Sequence, residues 1–313
     1  MGKSSLSAVA LCCCLTSRNY LRILPLPTYN EYSLHCVAVV VIRCRRLFAR
    51  LDARRCLKDI EPRVFPDNGG PDHGEVVEVY GAEGTGKTEL LYHLLCRCVL
   101  PKETGGLEVD VVFVDTDYSL DMSRLVSILD SLSTCSTSAG SDEAVLRSCL
   151  SRLLVVHCSS SSQLLLTLHF LETTLSSRPS VALLLIDSIS AFYWSDSSEG
   201  GASLSKREEK LSKCSELLGR LLRDYRITIF ASCRTIRRSS SGSSSCVEMD
   251  RPYLCRPWQC LVTHRLLCSK READTEQMRH PVFSIHTSSS SWTGTRGSRT
   301  SFFKVTDGGV EFL

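Results

Sequence analysis

The chain contains the segment GAEGTGKT, Gly81–Thr88, which indicates one fold class more firmly than any other stretch. The segment matches the pattern G-x-x-x-x-G-K-[ST] at every fixed position. Glycines at this spacing let the backbone curl, so that several N–H groups point toward the same phosphate oxygens. In this pattern the lysine binds the β- and γ-phosphates and the hydroxyl residue binds Mg²⁺. We therefore predict a phosphate-binding loop.

The residues on either side of the loop strengthen this prediction. Glu75–Tyr80 contains alternating valines, which is typical of a strand. Thr88–Leu100 has leucines at helical spacing, and the positive amino-terminal end of that helix would face the phosphates. We expect ATP to contact the whole loop, which consists of Gly81, Ala82, Glu83, Gly84, Thr85, Gly86, Lys87 and Thr88.

A carboxylate at the end of a second buried strand completes the predicted site. Val181–Ile186 is a continuous apolar run, as expected of a central parallel strand covered on both faces. Asp187 ends this run, where a carboxylate reaches the water shell of a metal ion. A strand-ending Asp by itself can equally be a turn or helix cap. Together with the upstream loop, it predicts that Thr88 and Asp187 hold Mg²⁺.

Two more carboxylates, Asp115 and Asp117, follow the predicted strand Val109–Val114. A carboxylate at this place could orient the water that attacks the γ-phosphate. The alternative is that it caps a helix from Ser119 onward. The residues themselves leave both interpretations open.

Strands and helices alternate over most of the chain, which predicts an α/β fold with a mostly parallel central sheet. Phe302–Val305, a DGG turn and Val310–Leu313 predict an antiparallel hairpin at the carboxyl end. Residues 1–46 differ in composition from the rest, and we expect them to be a disordered leader. Residues 47–313 are then one ATPase domain.

Composition limits the classes of function. The 313 residues are 43% apolar, which is enough for one large core, and the net charge is only +3. The 17 cysteines include no Cys-x-x-Cys pair, so we expect unpaired thiols in a reducing compartment. The apolar run Leu6–Leu15 after Lys3 resembles a signal peptide, but nothing downstream supports secretion. The run Cys36–Ile42 is too short to cross a bilayer, and we expect no membrane association.

Two predicted loops are candidates for contact with nucleic acid. The first is Tyr193–Lys206, which contains Trp194 and is followed by another basic residue; the second follows the predicted strand Ile227–Ala231. Mobile basic loops with an aromatic residue suit single-stranded DNA, although a solvated surface loop is the equal alternative. The residues predicted to contact DNA are Lys206, Arg207, Arg237 and Arg238.

The order of these motifs resembles the RecA-type recombinases, and more narrowly the eukaryotic paralogues of the main recombinase. The resemblance covers most of the chain after residue 46. The stretches that carry it include GAEGTGKTELLYHLLCRCVLPK, VVFVDTDYSLDMSRLV and LLLIDSISAFYWSD.

The resemblance implies a RecA-like fold and a nuclear protein of homologous recombination. Such paralogues form a heteromeric complex with other RecA-type paralogues. The complex assists the main recombinase in assembling on single-stranded or branched DNA at double-strand breaks and stalled replication forks.

Two positions depart from the active recombinases in this resemblance. Asp117 stands where they carry the water-activating Glu, so it is the candidate catalytic residue, with a side chain one methylene shorter. Arg234 stands where they place a Gln that links the γ-phosphate to the second DNA loop, and Arg has no acceptor. Both changes predict weak or absent hydrolysis. The alternative is an active DNA-dependent ATPase, and a small-molecule kinase ranks last because no lid or arginine clamp is evident.

Overall fold

The computed structural model describes residues 57–65, 69–134, 142–199, 203–235, 254–271, 281–289 and 298–313. All of these belong to one of the chain's two units, Ala53–Leu313. The predicted leader and the predicted domain start at Leu47 lie outside the described residues, so both stay predictions.

The described strands form one sheet. They are β1 (Val76–Gly81), β2 (Asp110–Asp115), β3 (Leu153–His157), β4 (Val181–Asp187), β5 (Thr228–Arg234), β6 (His264–Lys270), β7 (Val282–Ser289), β8 (Ser298–Thr306) and β9 (Gly309–Phe312). Their order in the sheet is β3-β2-β4-β5-β1-β6-β7-β8-β9. The described α-helices are α1 (Lys87–Val99), α2 (Met122–Thr134), α3 (Asp142–Ser151), α4 (Ser161–Ser177), α5 (Tyr193–Glu199), α6 (Leu204–Tyr225) and α7 (Arg256–Leu261).

The sheet has a parallel part and an antiparallel part, which confirms the predicted fold class. Strands β3, β2, β4, β5, β1 and β6 run parallel to their neighbours within this group. Strands β6 to β9 then continue as antiparallel neighbours. The predicted terminal hairpin is the pair β8–β9, and the antiparallel part is wider than that hairpin.

Burial follows from the apolar patterns in the sequence. Every residue of β4 is buried, as expected of a central strand with helices on both faces. Among the helices, α1, α2 and α3 contact one another, and α6 contacts α4, α5 and α7. Eight of the nine described cysteines are buried, where thiols act as small apolar residues. None of the described helices combines the length and apolar character of a membrane-spanning segment.

This topology determines where a site can form. In parallel sheets ligands bind beyond the carboxyl ends of the strands. The registers of β2, β4 and β5 bring those ends level, since Asp115 pairs with Asp187 and Ile186 pairs with Ala231. The loop after β1 opens at the same edge, because Gly81 pairs with Arg234.

Candidate functional site

The loop between β1 and α1 has the backbone that its glycines predict. Gly81 ends β1, and Gly86 is the residue that precedes the first turn of α1. Gly84 and Gly86 have φ angles of 71° and 80°, which a residue with a Cβ rarely adopts. At Gly86 a Cβ would also lie 3.0 Å from the ring of Phe303, which belongs to β8. The loop is therefore enclosed by the carboxyl-terminal hairpin on one side.

Lys87 lies folded over this loop. Its Nζ donates to the carbonyl oxygens of Gly81 at 3.0 Å and Ala82 at 2.6 Å. The side chain is buried, and this burial lowers the pKa of the ammonium, while the Asp187 carboxylate acts in the opposite direction. The loop thus holds one positive charge among backbone groups, where an anion can exchange for the carbonyl contacts.

A hydroxyl and a carboxylate meet beside the lysine. Thr88 Oγ1 donates to Asp187 Oδ2 at 2.8 Å, and the hydroxyl of Ser232 donates to Oδ1 of the same carboxylate. Burial raises the pKa of Asp187, and the two hydrogen bonds oppose that rise. Oxygen donors of this kind are the ligands that Mg²⁺ prefers, directly or through water.

The two aspartates after β2 have different surroundings. Asp115 is fully buried, and its carboxylate accepts from the backbone N–H groups of Ser119 at 3.1 Å and Leu120 at 3.2 Å. It therefore fixes the turn that leads to α2. Asp117 instead faces an open cavity and accepts from Ser188 Oγ at 3.4 Å. Of the two, only Asp117 has the placement that a water-orienting carboxylate needs.

Arg234 lines the cavity beside Asp117. Its Nη2 lies 3.2 Å from Asp117 Oδ2. The cavity has a volume of about 250 Å³. Its lining comes from the loop, from α1, from the turns after β2 and β4, and from β5: Glu83, Gly84, Thr85, Gly86, Lys87, Thr88, Glu89, Asp117, Ser119, Asp187, Ser188, Ser232 and Arg234.

The structure brings together most, but not all, of the residues predicted for the site. Six of the eight loop residues line the cavity with Asp117 and Asp187. Gly81 and Ala82 do not line it, and instead offer their carbonyl oxygens to the lysine. A larger groove of about 620 Å³, between α4, α6 and α7, contains none of the predicted site residues.

The structure corrects the predicted loop around Lys206, while the contact of these residues with DNA stays a prediction. Lys206 and Arg207 are exposed but lie in the first turn of α6, and Tyr193–Glu199 forms α5. The described part of the predicted loop is therefore largely helical. The run of helix-forming Lys, Arg and Glu begins at Lys206, and α6 starts two residues before it, at Leu204. Arg237 and Arg238 lie outside the described residues.

Four residues of the cavity lining were missed in the sequence, namely Glu89, Ser119, Ser188 and Ser232. Ser232 is level with Asp187 because β4 and β5 pair in register, a relation that only the sheet order supplies. Glu89, directly after the loop, binds Arg124 through two hydrogen bonds of 3.2 and 3.0 Å. No pattern along the chain links Glu89 to Arg124.

This fold and this site define a class of protein: an α/β protein with a phosphate-binding loop at the carboxyl edge of its parallel strands. Within that class the chain belongs to the Rad51 family, whose family model matches residues 66–270.

Comparison with individual proteins agrees with this assignment. The chain is 45% identical to DNA repair protein XRCC2 of Mus musculus over 276 residues, which cover 85% of this chain and 95% of that protein. It is 26% identical to the DNA repair protein XRCC2 homolog of Arabidopsis thaliana, over 75% of this chain and 79% of that protein. It is 30% identical to the DNA repair and recombination protein RadA of Methanoculleus marisnigri, over 56% and 55% of the two chains.

The resemblance to the recombinase paralogues is thereby confirmed. The relatives and the family support a role for this chain in DNA repair by recombination.

Proposed function

We propose that this protein is an ATP-binding subunit of a nuclear complex of recombinase paralogues. The complex would act in homologous recombination at double-strand breaks and stalled forks, where it assists recombinase assembly on single-stranded DNA. ATP binding is supported by one observation above all: Lys87, Thr88 and Asp187 line the same cavity. The recombination part is supported by the relatives and the family.

The donor set fits a magnesium-bound nucleoside triphosphate. The ammonium of Lys87 and the amino-terminal end of the 13-residue helix α1 supply positive charge to phosphates. The hydroxyl–carboxylate pair of Thr88 and Asp187 supplies oxygen ligands for Mg²⁺ or for its waters. When bound, Mg²⁺ neutralises charge on the β- and γ-phosphates.

The surroundings of Asp117 favour binding of ATP over its rapid hydrolysis. Its carboxylate is paired with Arg234, and the side chain is one methylene shorter than the Glu expected from the resemblance. A displacement of about 1 Å in a positioning group can reduce a rate by about 10²-fold. We infer that ATP chiefly stabilises the folded subunit and its interface by mass action.

Contact with DNA would be made mainly through the complex. The exposed side chains of Lys206 and Arg207, in the first turn of α6, are the described candidates, and Arg237 and Arg238 complete the set. The competing proposal, an active DNA-dependent ATPase, is supported by the placement of Asp117 at the cavity.

The experiment that separates these proposals uses the full chain co-expressed with candidate recombinase paralogues. ATP binding and ATP turnover are measured on the purified complex, with and without single-stranded DNA, for the wild type, Lys87→Ala and Asp117→Ala. We expect nucleotide binding that requires Lys87 and little turnover. Turnover that DNA stimulates and that both substitutions abolish would refute the binding-subunit proposal, and failure to co-purify with any paralogue would refute the complex.

A further inference from the structure

The turn between β2 and α2 carries Asp117 in an unfavourable stretch of backbone. The next residue, Tyr118, has a φ angle of 53°, in the left-handed region that a bulky side chain rarely adopts. Such a conformation persists only where surrounding contacts hold it in place. If those contacts were lost, relaxation of Tyr118 would shift the neighbouring Asp117 carboxylate. The contacts that hold this turn therefore decide where Asp117 lies in the cavity.

The backbone of this turn is bound by a carboxylate and by a phenol. The Asp115 carboxylate accepts from the N–H groups of Ser119 and Leu120. The hydroxyl of Tyr92, in α1, donates to the Ser119 carbonyl oxygen at 3.1 Å and accepts from the Asp121 N–H at 2.8 Å. Asp115 thus fixes N–H groups in the middle of the turn, and Tyr92 fixes the groups next to α2.

Tyr92 is itself held firmly on α1. It is 2% exposed, and the centre of its ring lies 6.4 Å from that of Phe113 in β2. It follows Thr88 by four residues, and residues four apart lie on the same face of a helix. Thr88 binds Asp187, so this face of α1 contacts both the predicted magnesium pair and the turn that carries Asp117.

We propose that Tyr92 is a positioning residue, whose hydroxyl holds the turn so that Asp117 can orient the water that attacks the γ-phosphate. This proposal rests on the proposed binding of ATP and concerns hydrolysis alone. Tyr92 does not line the cavity, so it acts through the backbone of the turn. Arg234 and Ser188 bind the Asp117 carboxylate itself and leave the Ser119 carbonyl and the Asp121 N–H to Tyr92.

The reaction that Asp117 would assist is the hydrolysis of ATP to ADP and phosphate. The water oxygen bonds to the γ-phosphorus as the bond from that phosphorus to the β,γ-bridging oxygen breaks. One proton of the water stays on the phosphate product, and the other passes to solvent. The placement of the water depends on the carboxylate, and a shift of about 1 Å in a positioning group can reduce a rate by about 10²-fold.

The test separates binding from hydrolysis in the complex of the full chain with its co-expressed paralogues. Calorimetry with a non-hydrolysable ATP analogue and Mg²⁺ measures binding, and a single turnover of radiolabelled ATP measures hydrolysis. The rate that remains in Asp117→Ala belongs to the other subunits and is subtracted. For Tyr92→Phe, which keeps the ring, we expect unchanged analogue affinity and a rate lower by about 10- to 100-fold.

A double variant tests whether Tyr92 acts through Asp117. For Tyr92→Phe combined with Asp117→Ala we expect no further loss of rate, because a residue that acts through this carboxylate has no effect once the carboxylate is gone. A further loss in the double variant would show that Tyr92 acts by another route, and the inference would be wrong. An unchanged rate in Tyr92→Phe alone would also refute it.

Tyr225→Phe is the matched control, because Tyr225 of α6 is also buried, its hydroxyl is 2.7 Å from Ser176 Oγ, and it does not line the cavity. Thermal unfolding checks that each variant is folded, and we expect an unchanged rate in the control. An equal loss of rate in the control would overturn the inference. So would wild-type hydrolysis no faster than that of Asp117→Ala, although ATP binding would stand. If the wild type bound no analogue, both proposals would be wrong.

Discussion

At the scale of single residues, burial and hydrogen bonding act in opposite directions on the carboxyl group of Asp187. It is 4% exposed, and burial raises the pKa of its carboxyl group. Hydrogen bonds from Thr88 and Ser232 only partly offset the loss of water. A charge buried in this way is expected to reduce the stability of the fold. This agrees with the proposed role of Asp187 in binding.

The substitution Asp187→Asn tests this balance. Without nucleotide at pH 7 we expect the free energy of unfolding to rise by on the order of 1 kcal/mol, because a buried charge is removed. We expect affinity for ATP with Mg²⁺ to fall about 10- to 100-fold. Chemical denaturation and calorimetry measure the two effects.

The pH dependence of Asp187→Asn has a definite sign. Because the folded-state pKa of Asp187 is raised, the wild type gains stability as pH falls through that pKa. The difference in free energy of unfolding between the variant and the wild type should therefore become smaller toward acid pH. If the variant were less stable than the wild type at pH 7, the inference that the Asp187 charge destabilises the fold would be wrong.

At the scale of elements, the segment 57–65 is held against α1 by a buried ionic cluster. Glu61 is 1% exposed and binds His93 of α1 at 2.7 Å and Arg63 at 2.7 Å. Burial raises the pKa of Glu61, but the hydrogen bonds from His93 and Arg63 outweigh it and lower that pKa to about 2. The guanidinium of Arg63 also lies 4.4 Å from the ring centre of Phe312 in β9. The cluster thus joins the segment, a helix and the last strand.

Glu61→Gln should lower the free energy of unfolding by about 3 kcal/mol at pH 7. A lowered folded-state pKa gives stability that is fully present above the unfolded value of 4.5 and is lost as pH falls toward 2. The difference in free energy of unfolding between the variant and the wild type should therefore become smaller as pH falls over that range. Denaturant unfolding from pH 7 to pH 3 measures it.

Glu143→Gln is the control for this substitution. Glu143 forms an ion pair with Arg147 one turn away on α3, and it is 86% exposed. Exposed pairs of this kind contribute little, so we expect no measurable change in stability. An equal loss of free energy of unfolding in both variants would show that the buried cluster contributes no more stability than an exposed ion pair.

One helix side chain, Arg124, hydrogen-bonds to the backbone at the turn of the carboxyl-terminal hairpin. Arg124 of α2 donates to the carbonyl oxygens of Thr306 and Asp307, each at 2.6 Å, and binds Glu89 of α1. The same hairpin places Phe303 against Gly86 of the loop. The turn between β8 and β9 is therefore connected to the phosphate-binding loop through Glu89.

Arg124→Met should release this turn, because it removes the hydrogen bonds to both carbonyl oxygens and to Glu89. We expect the free energy of unfolding to fall by about 2 kcal/mol. We also expect faster hydrogen exchange at residues 306–312, with strands β4 and β5 unaffected. Arg147→Met provides the control. Unchanged exchange in the hairpin would contradict the anchoring role.

At the scale of the whole molecule, local patterns predict the elements but not their neighbours. The loop, its flanking strand and helix, and the apolar strand before Asp187 follow from residues close together in sequence. The position of β1 between β5 and β6 does not, because it depends on packing between distant segments. The contact of Ser232 with Asp187 and that of Arg124 with Thr306 depend on this arrangement, so neither could be predicted.

The two aspartates after β2 show the same limit at close range. Asp115 and Asp117 share one short stretch, and composition cannot say which of them turns inward. The structure assigns Asp115 to the backbone of the next turn and Asp117 to the cavity. The predicted loop Tyr193–Lys206 is largely helical in its described part, because its serines and glycines resemble a loop although helices begin on both sides of them.

The central claim is that Lys87 and its loop bind a nucleoside triphosphate. Titration calorimetry of the complex with ATP and Mg²⁺, on the wild type and on Lys87→Ala, measures this directly. We predict one nucleotide per copy of this chain, with affinity reduced at least about tenfold in Lys87→Ala. No uptake of ATP at millimolar concentration by the folded wild-type complex, or equal uptake by the variant, would contradict it.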